Sequence, residues 1–359
     1  MTGPVGGPPS SDAELVAEAV GELLADRCTS QAVAEVEGTG WAPDLWSALA
    51  DGGFPWVGVP EHAGGVGGSV AEACAVLEQV GRYAAPLPVA ETGLLAGWLL
   101  AAGGLPVPPG PTTTAPAHDL TFRSGALVGR VPRVPWARRA ARVVFLVDGG
   151  DIGGRQIVAV DPVSARIEPG TNLAGEPRDT VYLDGVVPAE AAAAPPGVDA
   201  DALVLRGALS RAALIAGAAG QIRDITVAYT NERVQFGRPV ARFQAVAAHL
   251  VRIAEQTEAV RMAARVAAAN ARDDPSFVDV AAAKSVASEA AGVIAAAAHQ
   301  ATGAMGMTRE YELGQLTRRL WSWREEYGGE RTWTTRFGAV LTEEGAERLW
   351  PTIARGARA

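Results

Sequence analysis

The sequence predicts an α+β protein built in three consecutive parts: a helical N-terminal domain, a small middle β domain and a C-terminal helical bundle. Helical periodicity fills both ends of the 359-residue chain, whereas residues 119–187 carry short β-prone runs separated by Gly and Asp. Five prolines between residues 105 and 117 interrupt the helical pattern. We therefore expect domains at residues 1–112, 113–190 and 191–359.

The N-terminal domain is predicted to begin its first helix near Asp12. Ser10 and Ser11 can cap free N–H groups there, and acidic residues in the first turn suit the helix dipole. Residues 1–10 are rich in Gly and Pro and predict a frayed tail. Further helices are expected at 42–51, 70–82 and 93–102, with an extended segment at 54–60.

The β domain is predicted from regularly spaced runs of β-prone residues with turn residues between them. Such a pattern is typical of a small barrel or sandwich. The runs lie at residues 126–128, 142–147, 156–160 and 180–183.

The C-terminal bundle is predicted from apolar residues that recur every three or four positions after Phe243, as on one face of a helix. A second long helix is expected at 276–302, ending at Gly303. Long helices joined by short loops predict an antiparallel bundle.

Composition narrows the functional classes. A formal net charge of -9 argues against nucleic acid as the main partner, because phosphate binding needs clustered cations. Cys28 and Cys74 are the only cysteines, and with four histidines they show no metal-ligand spacing, so no metal site is predicted. No run reaches the ~18–20 apolar residues of a membrane span, and the N-terminus lacks signal-peptide features. We expect a cytoplasmic protein without a membrane partner.

Several motifs resemble signatures of the acyl-CoA dehydrogenase family. Residues 232–239 read Glu-Arg-Val-Gln-Phe-Gly-Arg-Pro, similar to the family's Arg-x-x-Phe-Gly element before a helix. Residues 300–311 place a Gln before a Gly-rich turn and a Glu-Tyr pair, which resembles the second signature. Residues 60–65 are similar to the family's Pro-Glu-x-x-Gly-Gly turn. The resemblance covers nearly the whole chain and implies the family's three-domain fold.

The resemblance implies an FAD site shared between subunits. Arg233 would bind the flavin pyrophosphate, because its planar guanidinium matches phosphate oxygens. Phe236 would lie near the adenine, while Gln244 and Gln300 would bind ribose or phosphate. The cofactor-binding candidates are Arg233, Gln235, Phe236, Gly237, Gln244, Gln300, Gly303 and Gly306. Taken alone, the residues leave another interpretation open, in which Arg233 is solvated, Phe236 is core and the glycines only end a helix.

The catalytic base departs from the family's pattern. The family uses a carboxylate to remove the α-proton of an acyl thioester while the β-hydride goes to the flavin. The two places where relatives carry this Glu correspond to Tyr327 or Gly328 and to the vicinity of Gly207, and neither holds a carboxylate. Glu325, Glu326 and Glu330 lie close in sequence and could replace the base, with Glu326 and Glu330 as the candidates put forward. The alternative is that all three are surface charges at a helix end.

The β domain departs from the family as well. Residues 115–120 read Ala-Pro-Ala-His-Asp-Leu where relatives carry a Thr-Glu-Pro run and a Gly-Ser-Asp turn that contact flavin and thioester. Trp136 loosely corresponds to a Trp that lies against the flavin ring, and a buried core Trp is the other interpretation.

The predicted function is that of an FAD-dependent dehydrogenase subunit. It would introduce an α,β double bond into an acyl-CoA or acyl-carrier thioester and pass electrons to an electron-transfer flavoprotein. Because the ring-binding half departs from the pattern and the nucleotide-binding half is retained, we expect the flavin site to be shared with another dehydrogenase-like chain in a homo- or hetero-oligomer. Two alternatives stay open, a different tailoring reaction on the same fold and a non-catalytic structural subunit.

Overall fold

The helical N-terminal part begins with a capped helix. The computed structural model describes residues 11–150, 153–272, 274–308, 311–345, 347 and 350–351, so the predicted tail at 1–10 lies outside the described residues. Helix α1 spans Asp12–Arg27. The Ser11 side chain accepts a hydrogen bond from the Glu14 N–H, and the Glu14 carboxylate accepts one from the Ser11 N–H. This capping box confirms the predicted helix start.

The rest of the N-terminal part is helical with two local departures from expectation. The helices are α2 (Ser30–Glu35), α3 (Pro43–Asp51), α4 (Val70–Arg82) and α5 (Trp98–Ala102). The segment predicted to be extended at 54–60 instead contains a 3₁₀ turn at Phe54–Trp56, where Pro55 fits the first turn. The helix predicted at 93–102 starts as a π-helix at Glu91–Gly97 and continues as α5.

The β domain is a sandwich of two four-stranded sheets. One sheet has the order β1-β4-β5-β8 and the other β2-β3-β7-β6. Apolar residues such as Val131, Phe145 and Val181 fill the space between them. This confirms the predicted small β domain. The strands are β1 (Thr112–Thr114), β2 (Leu120–Arg123), β3 (Ala126–Pro135), β4 (Arg142–Asp148), β5 (Arg155–Val160), β6 (Arg166–Glu168), β7 (Arg178–Val186) and β8 (Glu190–Ala193).

The C-terminal part is a bundle whose long helices follow the predicted periodicity. On α7, Ile253, Val260 and Ala264 are buried, as the spacing predicted. Ser276 caps α8 through the backbone N–H of Asp279. The helices are α6 (Ala200–Glu232), α7 (Gln244–Asn270), α8 (Phe277–Thr302), α9 (Leu313–Trp323) and α10 (Glu330–Glu344).

Two charged residues of α4, Glu78 and Arg82, join this helix to the bundle. The Glu78 carboxylate accepts hydrogen bonds from Arg261 and Arg265 on α7. Arg82 donates to Asp224 on α6 at 2.9 Å. These contacts fix the N-terminal part on the bundle.

Two bundle segments, Ala200–Glu232 and Phe277–Met307, have the length and hydropathy of a membrane-spanning helix. The expectation that the sequence holds no such segment is therefore wrong. In the apolar window of the first segment 83% of the residues are buried inside the fold, and in the second 61%. Core helices of a bundle have the same composition because they are apolar on most sides, and we describe both segments as core helices.

Candidate functional site

The Arg-x-x-Phe-Gly motif forms a short β-hairpin at the end of α6. Arg233 caps the helix, and β9 (Val234–Gln235) pairs antiparallel with β10 (Arg238–Pro239). The two residues between the strands, Phe236 and Gly237, have positive φ angles of 51° and 75°. Two consecutive left-handed residues make the tight turn typical of two-residue hairpins, which explains the glycine.

The tip of this hairpin motif projects into solvent. Phe236 is 93% exposed, which excludes the interpretation of Phe236 as a core residue. Its ring meets Phe243 edge-on with centroids 6.0 Å apart, and the Arg238 guanidinium lies 4.3 Å from the Phe243 ring centroid. The neighbouring candidate residues are also exposed, namely Arg233, Gln235, Gly237 and Gln244. The hairpin motif therefore carries an exposed apolar ring and exposed guanidinium and amide donors on neighbouring residues of the chain.

The second motif lies at the end of α8. Gln300 is exposed on the last turn, and Gly303 ends the helix with a φ of 61°. Gly303 is also exposed, whereas Gly306 is buried. Glu310 of the motif lies outside the described residues.

A tyrosine pair brings the two motifs to the same end of the bundle. The Tyr311 hydroxyl donates to the Ile225 carbonyl at 3.1 Å, and its ring centroid lies 5.7 Å from that of Tyr229. The Arg233 N–H in turn donates to the Tyr229 carbonyl. Burial raises the pKa of Tyr311 to about 12, so its hydroxyl stays a donor at neutral pH. The chain that follows Gly306 thus packs on the last turns of α6, beside the hairpin motif.

The positions where a base was sought lie at a different place, between the β domain and the bundle. There the Tyr327 ring covers Gly207 on α6, and a Cβ added at Gly207 would lie 2.3 Å from the ring. Tyr327 itself has a φ of 56°, and its carbonyl accepts a hydrogen bond from the Trp333 indole N–H at 3.0 Å. Burial, opposed by Arg211, raises the pKa of the Tyr327 hydroxyl. The two family positions are in direct contact here.

Behind this ring lies a group of buried charges, which we name the ion-pair cluster. The Arg211 guanidinium donates to Glu91 at 2.6 Å and to Glu326 at 2.7 Å. Arg178 donates to both oxygens of Glu326, to Oε1 at 2.8 Å and to Oε2 at 3.1 Å. Arg178 also pairs with Glu176, which pairs in turn with Arg319. Its members are Glu91, Glu176, Arg178, Arg211, Arg319 and Glu326, all of them buried.

The ion-pair cluster sets the chemistry of Glu326, one of the two base candidates. Burial opposes its ionisation, but Arg178 and Arg211 outweigh burial and lower the pKa of Glu326 to about 2. A carboxylate with this pKa, bonded through both oxygens, is a weak proton acceptor. The expectation of a surface charge does not hold for Glu326. Glu330 begins α10 and is half-buried, where it accepts from the Thr334 hydroxyl through its carbonyl.

An open cleft of about 260 Å³ remains outside the ion-pair cluster, which we call the interdomain cleft. Its β-domain wall consists of Ala115, three prolines, Arg133 and Arg178. Its bundle wall consists of Arg211, Glu325, Glu326 and Tyr327. Trp136 does not line this cleft: it is buried, its indole N–H donates to the Gly40 carbonyl, and Arg178 lies 4.9 Å from its ring centroid. Trp136 is therefore a core residue, and among the described residues of the β domain no aromatic side chain lines this cleft.

Sequence reasoning missed most of the ion-pair cluster. A signal for it exists, because Arg211 and Glu91 are isolated charges inside apolar runs, which indicates buried partners. Glu176 lies in a loop and Arg178 begins strand β7, both in a stretch of mixed polarity. Only the fold brings Arg178 into contact with Glu326.

A small β sandwich between two helical parts, with a hairpin and a Gln-Gly turn at one end of the bundle, defines the class of flavoprotein dehydrogenases predicted from the motifs. The chain matches the acyl-CoA dehydrogenase N-terminal domain over residues 10–105 and the C-terminal domain over residues 202–330. The chain belongs to the acyl-CoA dehydrogenase family, whose members are flavoprotein oxidoreductases.

Individual relatives agree with this assignment. Acyl-CoA dehydrogenase IpdE2 of Mycolicibacterium smegmatis is 30% identical over 307 residues, which cover 85% of this chain and 90% of the relative. Acyl-CoA dehydrogenase FadE34 of Mycobacterium tuberculosis is 31% identical, and the match spans 43% of that longer protein. Among solved structures, a chain of the ChsE4-ChsE5 complex of Mycobacterium tuberculosis superposes with a TM-score of 0.84 at 23% identity, covering 94% of this chain and 98% of that one. The last likeness concerns the fold alone.

Proposed function

We propose that this chain is a subunit of an FAD-dependent acyl-CoA dehydrogenase and lends its exposed hairpin motif to a flavin bound mainly by a partner chain. The assembly would introduce an α,β double bond into an acyl thioester and deliver electrons to an electron-transfer flavoprotein. Bound FAD would supply the acceptor for the β-hydride. The finding that a related fold occurs in a ChsE4-ChsE5 complex supports a heteromeric arrangement.

One observation carries the proposal: Phe236 is 93% exposed at a turn of two left-handed residues. A large apolar side chain held outward by an unfavourable backbone conformation indicates a surface that is covered when the protein works. Arg233, Gln235 and Gln244 surround it with donors suited to phosphate and ribose oxygens. Gln300 would add a donor from the end of α8, with the Gly303–Gly306 turn allowing a close approach of the backbone.

A non-catalytic role in the same assembly is the second candidate, and a specific contact favours it. Tyr327 and Gly207, the two positions where relatives carry the base, contact each other without a carboxylate between them. Glu326 is committed to two arginines. The base would then come from the partner chain alone.

The test is co-expression with a neighbouring dehydrogenase-like gene product. We expect the complex, but not the lone chain, to purify with absorbance near 450 nm. In the complex, Arg233→Ala should weaken flavin binding by about 10- to 100-fold, because a charged hydrogen bond contributes ~1.5–3 kcal/mol. Arg123→Ala, an exposed arginine on the edge of the β domain, is the matched control and should bind flavin like the wild type.

Two results would overturn the proposal. One is a lone chain that purifies with stoichiometric flavin and oxidises an acyl-CoA. The other is a complex in which Arg233→Ala and Arg123→Ala retain flavin equally.

A further inference from the structure

The contact between Tyr327 and Gly207 leaves no space between the two positions where a base is expected. A Cβ at Gly207 would meet three ring atoms of Tyr327 at 2.3 to 2.5 Å. The ring therefore lies against the helix backbone itself, which only a glycine allows. Tyr327 holds this position with a left-handed backbone, stabilised by the hydrogen bond from Trp333.

The wall behind the ring is charged rather than apolar. Arg211 follows Gly207 by one helical turn, and its guanidinium lies 5.2 Å from the Tyr327 ring centroid. The side chains of Arg211 and Glu91 are 1% and 2% exposed. An acyl chain in this place would have to separate Arg211 from its two carboxylates and leave charges buried without partners.

The ion-pair cluster also takes over a structural task. Glu91 comes from the N-terminal π-helix, Glu176 and Arg178 from the β domain, and Arg211 and Glu326 from the bundle. With Arg319 the cluster holds three acids and three bases, so its formal charges cancel. All three parts of the chain are therefore joined by side chains at the place where they meet.

We propose that Tyr327 and the ion-pair cluster form a permanent plug at the inner end of the interdomain cleft, beyond the open space of about 260 Å³ that they line, so that this chain takes no acyl thioester past that point and joins its three domains there instead. The inference deepens the proposed function and rests on it, since it assigns the acyl thioester of the assembly to the partner chain. The contact at the centre of the plug is nevertheless testable in the lone chain.

The first experiment introduces a methyl group under the ring. We expect Gly207→Ala to lower the thermal midpoint of the full chain by about 3 °C or more, because the ring must move. Gly338→Ala on α10, where no atom lies within 4 Å of the added carbon, is the matched control and should leave the midpoint unchanged or raise it, since Ala favours helix.

The second step shows that the ring is responsible. In a Tyr327→Gly background, which removes the ring and suits the left-handed backbone, Gly207→Ala should no longer lower the midpoint. In a Tyr327→Phe background, which keeps the ring, the loss should persist. The plug is refuted if Gly207→Ala is as harmless as Gly338→Ala in the wild type, or is equally harmful with and without the ring.

A ligand titration tests the consequence for substrate. We expect the wild-type chain to bind a series from acetyl-CoA to palmitoyl-CoA no more tightly than free CoA, within twofold. An affinity that rises tenfold or more with acyl length would overturn the plug. Flavin content of the co-expressed complex reports separately on the proposed function, because a colourless complex would defeat that function and leave the Gly207–Tyr327 coupling intact.

Discussion

The two ends of the bundle differ in how their conspicuous side chains are satisfied. At the hairpin motif, Phe236 and Arg233 face solvent, and no partner within the described residues covers the Phe236 ring except the edge of Phe243. At the interdomain cleft, Arg211 and Glu326 are buried and bonded to each other. At the hairpin motif the side chains face solvent, whereas behind Tyr327 the charged side chains are buried and bonded to one another.

The difference shows how a family site can be divided. Under the proposed function, surface residues that would bind a shared cofactor can be retained with little effect on folding, because solvent satisfies their polar groups when the cofactor is absent. A buried reaction site has no such freedom, because any polar group in it needs a partner. At the two positions where the family carries its base, Tyr327 lies against Gly207, and the Arg211–Glu326 ion pair lies behind the ring.

The largest effect is expected from removing one charge of the closed end. Glu326→Ala should lower the free energy of unfolding by about 3–5 kcal/mol, because Arg178 and Arg211 remain buried without a carboxylate between them. Glu325→Ala is the matched control: this neighbour is 61% exposed and forms an ion pair with Arg324, so its loss should change stability by less than about 1 kcal/mol. Denaturant unfolding measures both. Equal, small effects would mean that the cleft is not closed by this carboxylate.

The effect of pH on stability through Glu326 should be smaller than the effect of Glu326→Ala, and its sign follows from the lowered pKa of Glu326. The pKa of Glu326 lies at about 2 in the folded chain, below the ordinary value of 4.5. A carboxyl with a lowered pKa stabilises the fold fully above about pH 4.5 and loses that contribution as the pH falls towards 2. The difference in free energy of unfolding between the wild type and Glu326→Gln should therefore become smaller as the pH is lowered from 7 to 3. A difference in the free energy of unfolding that stays constant over this pH range would contradict the conclusion that the ion pairs lower the pKa of Glu326.

The smallest effect on stability is expected at the open end. Phe236→Ala should change the free energy of unfolding of the lone chain by less than about 1 kcal/mol, since only the edge contact with Phe243 is lost. Phe145→Ala, inside the β sandwich, should by contrast cost about 3–5 kcal/mol. The same Phe236 substitution should weaken flavin retention in the co-expressed complex. A large loss of stability in the lone chain would show that the ring is already packed.

Much of the fold was predictable because it depends on local signals. Ser11 and Ser276 mark helix starts that the structure confirms through side-chain caps, and the spacing after Phe243 gave the buried face of α7. The prediction of an extended segment at 54–60 was wrong at residues 54–56, because proline and aromatic residues fit a 3₁₀ turn as well as a strand. The π-helix at Glu91–Gly97 has no sequence signature, since it depends on packing.

The candidate site divides in the same way. The hairpin motif was recognisable because its residues are contiguous and its turn needs Gly237. The role of Glu326 was not, because two of its partners, Arg178 and Arg211, lie 148 and 115 residues away along the chain. From the sequence alone Glu326 had the same appearance as its exposed neighbour Glu325.

The sequence by itself determined the family and the order of the helical, β and helical parts, because these follow from contiguous motifs and short-range spacing, and it left open whether Phe236 is exposed or buried. Only the tertiary structure decided that Tyr327 covers Gly207 and that six charged side chains meet behind the ring. Charges can be buried only where opposite charges from distant segments arrive together, and that meeting is a property of the folded chain.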